Sequence, residues 1–243
     1  MVEDKSNEIP AARTLIEDRQ LDNAMVLTDA LHTQGLSARD IVQGCGGDYV
    51  MTVKANQKGL LRNLEQIHAA HKTGGDFSPR MDVVQRVELN RGRVEARAIA
   101  AFDVCSEQVC FPYAAKAAML MQRTDAGKDP RNDGVVFLLS SRADLDAEAL
   151  LGFKRQYWDI ENGAHQRLDE SRLQEDKSRV KNRNAACNLG LFRRTALSLG
   201  RHWIASQPDA RKATFNGFLG TMARHKSKLA FRMALCKQAS WLP

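Results

Sequence analysis

The stretch VLTDALHTQ, residues 26–34, decides how the rest of the chain is read. Two apolar residues, Val26 and Leu27, run into Thr28 and a lone carboxylate, Asp29. A polar run containing His32 and Gln34 follows. A short apolar run bounded by turn-forming residues reads as a buried strand, with Asp29 at its end. Asp suits such an end because its side chain bonds nearby backbone amides. It also suits a hard divalent cation, which takes carboxylate oxygens and keeps several waters. Two readings therefore stay open: a solvated strand end, or a carboxylate presented to a metal that handles phosphate.

The flanking sequence sets that strand in an alternating pattern. EIPAARTLIEDRQ (8–20) suggests a helix with Pro10 in its first turn. AMVLTDA (24–30) is the strand. LSARDIVQGC (36–45) resembles a helix capped by Ser37, with Gly44 near its end. DYVMTVK (48–54) is a second buried strand, and NQKGLLRNLEQIHAAHK (56–72) carries a helical apolar stripe. Helix–strand–helix–strand–helix is the pattern of an α/β fold with parallel strands. The middle of the chain differs. Residues 81–104 read as two strands around the turn NRG, and 117–125 and 134–141 as two more strands split by DAGKDPRNDG. From Asp144 the chain turns helical and stays so to its end.

Composition narrows the function classes. The 243 residues are 43% hydrophobic and 27% charged, enough for a sizeable core. The net charge of +7 favours an anionic partner, nucleic acid first. That charge is uneven: residues 154–243 hold 18 Lys and Arg against 7 Asp and Glu, a net of +11. The other 153 residues hold 18 basic and 22 acidic groups, a net of −4. Five cysteines, with no CxxC pair, argue for a reducing compartment and against a disulfide framework. The polar, acidic start is no signal peptide, and no apolar run reaches the roughly 20 residues that span a bilayer. The expectation is a soluble cytoplasmic protein without a membrane partner.

The densest polar cluster is residues 154–184, KRQYWDIENGAHQRLDESRLQEDKSRVKNRN. On a helix, Leu150, Phe153, Tyr157 and Ile160 or Glu161 fall near one face. An inward Glu161 needs a partner, since an unpaired buried charge is costly. Arg155, Arg167 or a metal ion could supply it. GCGGD (44–48) lacks the order of a phosphate loop and reads as a helix end and turn. His68 and His71 lack an HExxH context and are expected on a solvated face. Tyr157 reads as core, and Trp158 could stack on an extruded base. Phe215, Phe218, Leu219 and Met222 form a packing stripe.

SNEIPAARTLI, VLTDALHTQ, GGDYVMTVKANQKGLL, RGRVEAR, YWDIENGAHQRLDE and EDKSRVKNRNAACNLGLFRRTAL occur here in order, from Ser6 to about Leu199. Together they resemble an ISAs1-type transposase, within the broader IS4-like DDE transposases. The resemblance implies a ribonuclease-H-like core over residues 1–184, a β-rich insertion at about 76–133, and a basic helical region over 185–243. It implies DNA as partner, both insertion-sequence ends and target, and Mg²⁺ or Mn²⁺ as cofactor. The family uses Asp, Asp and Glu as metal ligands. Asp29 falls on the second Asp and Glu161 on the Glu. His32, Gln34, Arg155, Asn162, His165, Arg167, Asp169, Asp176 and Arg179 fall on segments expected to support the site or contact DNA. The family's first Asp lies well upstream of its S-N-E-I-P motif, and no Asp here has that context. The expectation is a core incomplete at its N-terminus, an inactive copy that binds metal weakly. Strand 24–30 would then lack a neighbour, and its open edge would favour self-association. Two alternatives remain: a non-catalytic DNA-binding remnant, and a ribonuclease-H-like nuclease with another role.

Overall fold

The computed structural model describes residues 8–73, 81–90, 93–125, 130–160, 164, 166–170, 173–210 and 212–235. They fall into two compact units, Val2–Tyr157 and Trp158–Pro243.

The first unit is α/β. Its elements are α1 (Glu8–Glu17), β1 (Met25–Thr28), α2 (Gly35–Arg39), β2 (Asp48–Val53), α3 (Lys58–Thr73), β3 (Asp82–Asn90), β4 (Arg93–Asp103), α4 (Ser106–Val109), β5 (Lys116–Asp125) and β6 (Pro130–Ser140), with most of α5 (Ala147–Ile160). Six strands form one mixed sheet in the order β1-β2-β6-β5-β4-β3. β1 pairs parallel with β2, Thr28 opposite Met51, and every other pairing is antiparallel. Among the described residues β1 lies at the edge of the sheet. β3–β6 continue the sheet that β1 and β2 begin.

Period-2 alternation assigns the two sheet faces. Met51, Leu139, Ala117 and Phe102 lie in register across four strands. With Tyr49, Val53 and Phe137 they form a buried core cluster, closed by Leu60 and Leu64 of α3. The phenol of Tyr49 donates to the carbonyl of Pro112 at 2.7 Å, and burial pushes its pKa up. The other face carries the row Thr52, Leu138, Ala118, Ala101 and Asp82. α5 belongs to this face: the amide of Ala147 donates to Asp82 Oδ2 at 2.6 Å, and Lys154 Nζ donates to Thr52 Oγ1 at 3.1 Å.

Four expectations are corrected. Ser37 does not cap α2; it is buried inside that helix, and Gln34 is the N-cap. α1 ends at Glu17, three residues short of the expected end. His68 and His71 are not on a solvated face. Their rings lie 5.8 and 5.4 Å from that of Phe102, because they continue the period of Leu60, Leu64 and Ile67 on α3. Burial is the main cause lowering the pKa of His68, with Lys72 and His71 adding to it. Ile160 is 53% exposed, so the buried stripe of α5 is Ala147, Leu150, Leu151 and Lys154. The turn reading of GCGGD holds: Gly46 has φ +71°, and a Cβ on Gly47 would come within 2.8 Å of Leu21.

The second unit contains α6 (Gln166–Glu170), α7 (Arg183–Ala205), α8 (Phe215–Ala223) and α9 (Lys228–Leu235). Asn182 caps α7 by accepting from the amide of Ala185, and Thr214 caps α8 by accepting from that of Gly217. Leu168, Leu197, Phe215, Phe218 and Met222 form its core, as the stripe in the sequence predicts. α7 and α8 meet closely at Gly200, where a Cβ would fall 2.3 Å from the ring of Phe215.

Candidate functional site

Parallel strands deliver their carboxyl ends to the same side, and open α/β sheets place ligands there. Residues after β1 and after β2 therefore converge. Asp29 follows Thr28, the last residue of β1. Its Oδ1 accepts from the amides of Leu31 at 3.0 Å and His32 at 3.1 Å, closing a turn on the carboxylate. Gln34 Nε2 donates to the carbonyl of Leu31 at 3.1 Å. From the β2 side, Asn56 Nδ2 reaches the carbonyl of Ala30 at 2.6 Å, and Gln57 Nε2 that of Thr33 at 2.7 Å. Thr33 is fully buried, and its hydroxyl lies 2.6 Å from the carbonyl of Thr52 and 3.0 Å from that of Asp29. Thr28 Oγ1 is buried with no hydrogen-bond partner among the described residues.

Thr33, Asn56, Gln57 and Lys154 are the residues that sequence reasoning missed. The signal for Asn56 and Gln57 was present, since both lie within four residues of the end of a strand parallel to β1. Thr33 and Lys154 gave none: their roles come from neighbours 19 and 102 positions away in the chain.

Arg155, one of the cations expected near the carboxylates, has a partner in the sheet. Its guanidinium makes a two-pronged contact with Glu88 of β3, at 2.8 and 3.0 Å. That contact, reinforced by Arg97, holds the Glu88 carboxyl below its ordinary pKa. Glu161, Asn162 and His165 lie outside the described residues. Arg167 and Asp169 are half-buried on α6. Asp176 and Arg179 are exposed in the stretch before α7. There Lys177, Arg179, Lys181 and Arg183 form an alternating basic run, exposed and without ion pairs among the described residues.

As a metal ligand Asp29 is suitable but insufficient. Two amides occupy one oxygen, which leaves lone pairs for a hard cation. Among the described residues no group of three or more His, Cys, Asp or Glu could hold a metal ion. Likewise, no described helix is long and apolar enough to cross a membrane.

No family model matches the chain. It is 30% identical over 201 residues to the putative protein YbfL of Escherichia coli K12, covering 80% of this chain and 52% of that protein. It is 29% identical over 203 residues to the H repeat-associated putative transposase YhhI of the same strain, covering 81% and 52%. Against the putative transposase YncI of Escherichia coli O157:H7, identity is 29% over 210 residues, covering 82% and 51%. The chain thus spans about half the length of the curated relatives it matches.

Proposed function

We propose that this chain carries part of a DDE-type DNA transposase core, of the ISAs1 kind and with ribonuclease-H-like organisation. The observation that carries the reading is its similarity to putative transposases over about four-fifths of its length. Asp29, placed beyond a parallel strand pair and held by two amides, supports it.

In this reading Asp29 and Glu161 hold Mg²⁺ or Mn²⁺. The chemistry such ions supply when bound is activation of an oxygen nucleophile and charge neutralisation at a phosphodiester. The chain's own residues orient and bind. The amides of Leu31 and His32 fix the Asp29 rotamer, and Gln34, Asn56 and Gln57 fix the turn. Lys177, Arg179, Lys181 and Arg183 hold DNA phosphates, which positions the strand without reading its sequence. The resemblance calls for three carboxylates and assigns two of them to this chain, Asp29 and Glu161. The 243 residues alone are therefore expected to bind metal weakly and to perform no donor cleavage or strand transfer.

Mn²⁺ titration of the ¹⁵N-labelled chain tests the metal site. The amides of Leu31 and His32 should broaden first, and Asp29→Ala and Glu161→Ala should each weaken the effect. Absence of broadening at either amide would remove the metal role of Asp29. Robust Mg²⁺-dependent cleavage of end-containing DNA, abolished by Glu161→Ala, would overturn the expected inactivity. A second reading, DNA binding without catalysis, is favoured by the exposed basic run from Lys177 to Arg183, which needs no metal to hold phosphates. DNA affinity with no Mn²⁺ response would select it.

A further inference from the structure

Five polar or charged side chains are buried among the described residues: Thr33, Ser37, Thr52, Ser140 and Lys154. Three of them, from three different elements, form one connected group. Lys154 Nζ on α5 donates to Thr52 Oγ1 at the end of β2. The carbonyl of the same Thr52 lies 2.6 Å from the hydroxyl of Thr33 in the Asp29 turn. That hydroxyl also lies 3.0 Å from the carbonyl of Asp29. A hydroxyl carries one proton, so it serves one carbonyl at a time, and the shorter contact is to Thr52.

Lys154 is an unexpected residue for its place. It is 6% exposed, in a stripe whose other members are Ala147, Leu150 and Leu151. Its ammonium sits 4.7 Å from the centroid of the Tyr157 ring. Withdrawing an ammonium from water is costly, and an apolar side chain of similar length would fill the position without that cost. What an apolar residue cannot do is donate to Thr52.

We infer that Lys154 is a positioning residue for Asp29, acting through Thr52 and Thr33. The inference rests on the reading of Asp29 as the functional carboxylate. Thr52 is gripped at its side chain by α5 and at its carbonyl by the Asp29 turn. The helix thereby sets where the strand end lies, and the strand end sets where the turn presents its carboxylate. Without Lys154 the Thr52 hydroxyl loses its tether to α5, and the strand end that Thr33 grips is less firmly fixed.

The test reads the turn directly, without metal or DNA. In the full chain, hydrogen exchange is followed at the amides of Leu31 and His32, both bound to Asp29 Oδ1. Lys154→Met should speed exchange at both by about tenfold, the scale of one buried hydrogen bond to a charged group. Thr33→Val should do the same. The double variant should add little to either single one, because both interrupt one connection. Thr33→Ser should keep the wild-type rates. Should Lys154→Met fold poorly, Thr52→Val removes the same acceptor at nearly constant shape and should give the same acceleration. Two results overturn the inference. One is wild-type exchange at Leu31 and His32 in Lys154→Met or Thr52→Val. The other is additive effects in the double variant. Either is distinguishable from failure of the metal reading, which is scored on the wild-type chain by its Mn²⁺ response.

Discussion

Between Asp29 and Gln57, polar side chains find protein partners; between Lys177 and Arg183 they face solvent. In the first region Asp29, Thr33, Gln34, Asn56 and Gln57 all bond backbone atoms of the same few residues. In the second, four cations alternate along an exposed stretch without ion pairs among the described residues. Order is built into the first before any ligand arrives. In the second, the fold leaves the charge unmet among the described residues. Geometry and charge are thus assigned to different segments and should respond to different perturbations.

The largest expected effect breaks the basic run. Replacing Lys177, Arg179, Lys181 and Arg183 together by Ala should lower DNA affinity by ~100-fold or more at low salt. The slope of log K against log salt should flatten by ~0.9 for each phosphate that is no longer neutralised. Thermal stability should stay within about 0.5 kcal/mol of the original, as for other exposed sites. Fluorescence anisotropy at several salt concentrations, with a melt alongside, checks both halves. An unchanged slope would mean that the DNA-binding surface lies elsewhere.

Breaking the turn should do the reverse. Thr33→Val removes a fully buried donor and leaves the Thr52 carbonyl unmet, a loss of about 1–3 kcal/mol. Urea unfolding gives the stability and a salt series the binding slope, which should not move. A loss of similar size is expected at Gly200 in the second unit. Gly200→Ala would press a methyl into the rings of Phe215 and Phe218 and should cost about 1–3 kcal/mol.

A smaller effect comes from α5. The carboxyl of Glu88 is held low by Arg155, so its ion pair contributes stability above the ordinary carboxylate range. That contribution is lost as pH falls through the depressed folded-state value. The pair is largely open to solvent, which limits it to about 1 kcal/mol or less. Glu88→Gln should therefore be slightly less stable than the original at pH 7, and the difference should shrink as pH falls through the depressed folded-state value. His68 acts in the same direction from a different range. Its lowered pKa favours the neutral ring, so stability is full above about pH 6.5 and declines as the unfolded chain takes up the proton. The smallest expected change is Thr28→Val. It replaces a buried hydroxyl that has no partner among the described residues, and should be neutral or slightly stabilising in the same unfolding assay.

Local pattern carried much of the fold. The strand through Val26 and Leu27, its parallel partner at 48–53, the antiparallel pair β3 and β4 and the stripe at Phe215–Met222 all follow from period and turn residues. What the sequence hid depends on long-range pairing. Nothing local marks Lys154 as buried, because lysine is usually exposed and its acceptor stands 102 positions away. The rings of His68 and His71 face Phe102 although their residue type suggests solvent, and the apolar period of α3 was the better guide. The place of Asp29 at the end of β1 was legible in the sequence. The threonine that anchors its turn was not, since its role exists only once β1 and β2 lie side by side.

If the proposed reading holds, Asp29 and Glu161, two carboxylates 132 positions apart in the chain, bind the same ions. The most direct measurement is a crystal structure of the chain soaked in Mn²⁺, with the ions located by anomalous scattering. The account predicts Mn²⁺ bound by both side chains, with the carboxylates within roughly 8 Å of each other, the span of a two-ion site. Carboxylates more than roughly 12 Å apart, beyond any such span, would contradict it.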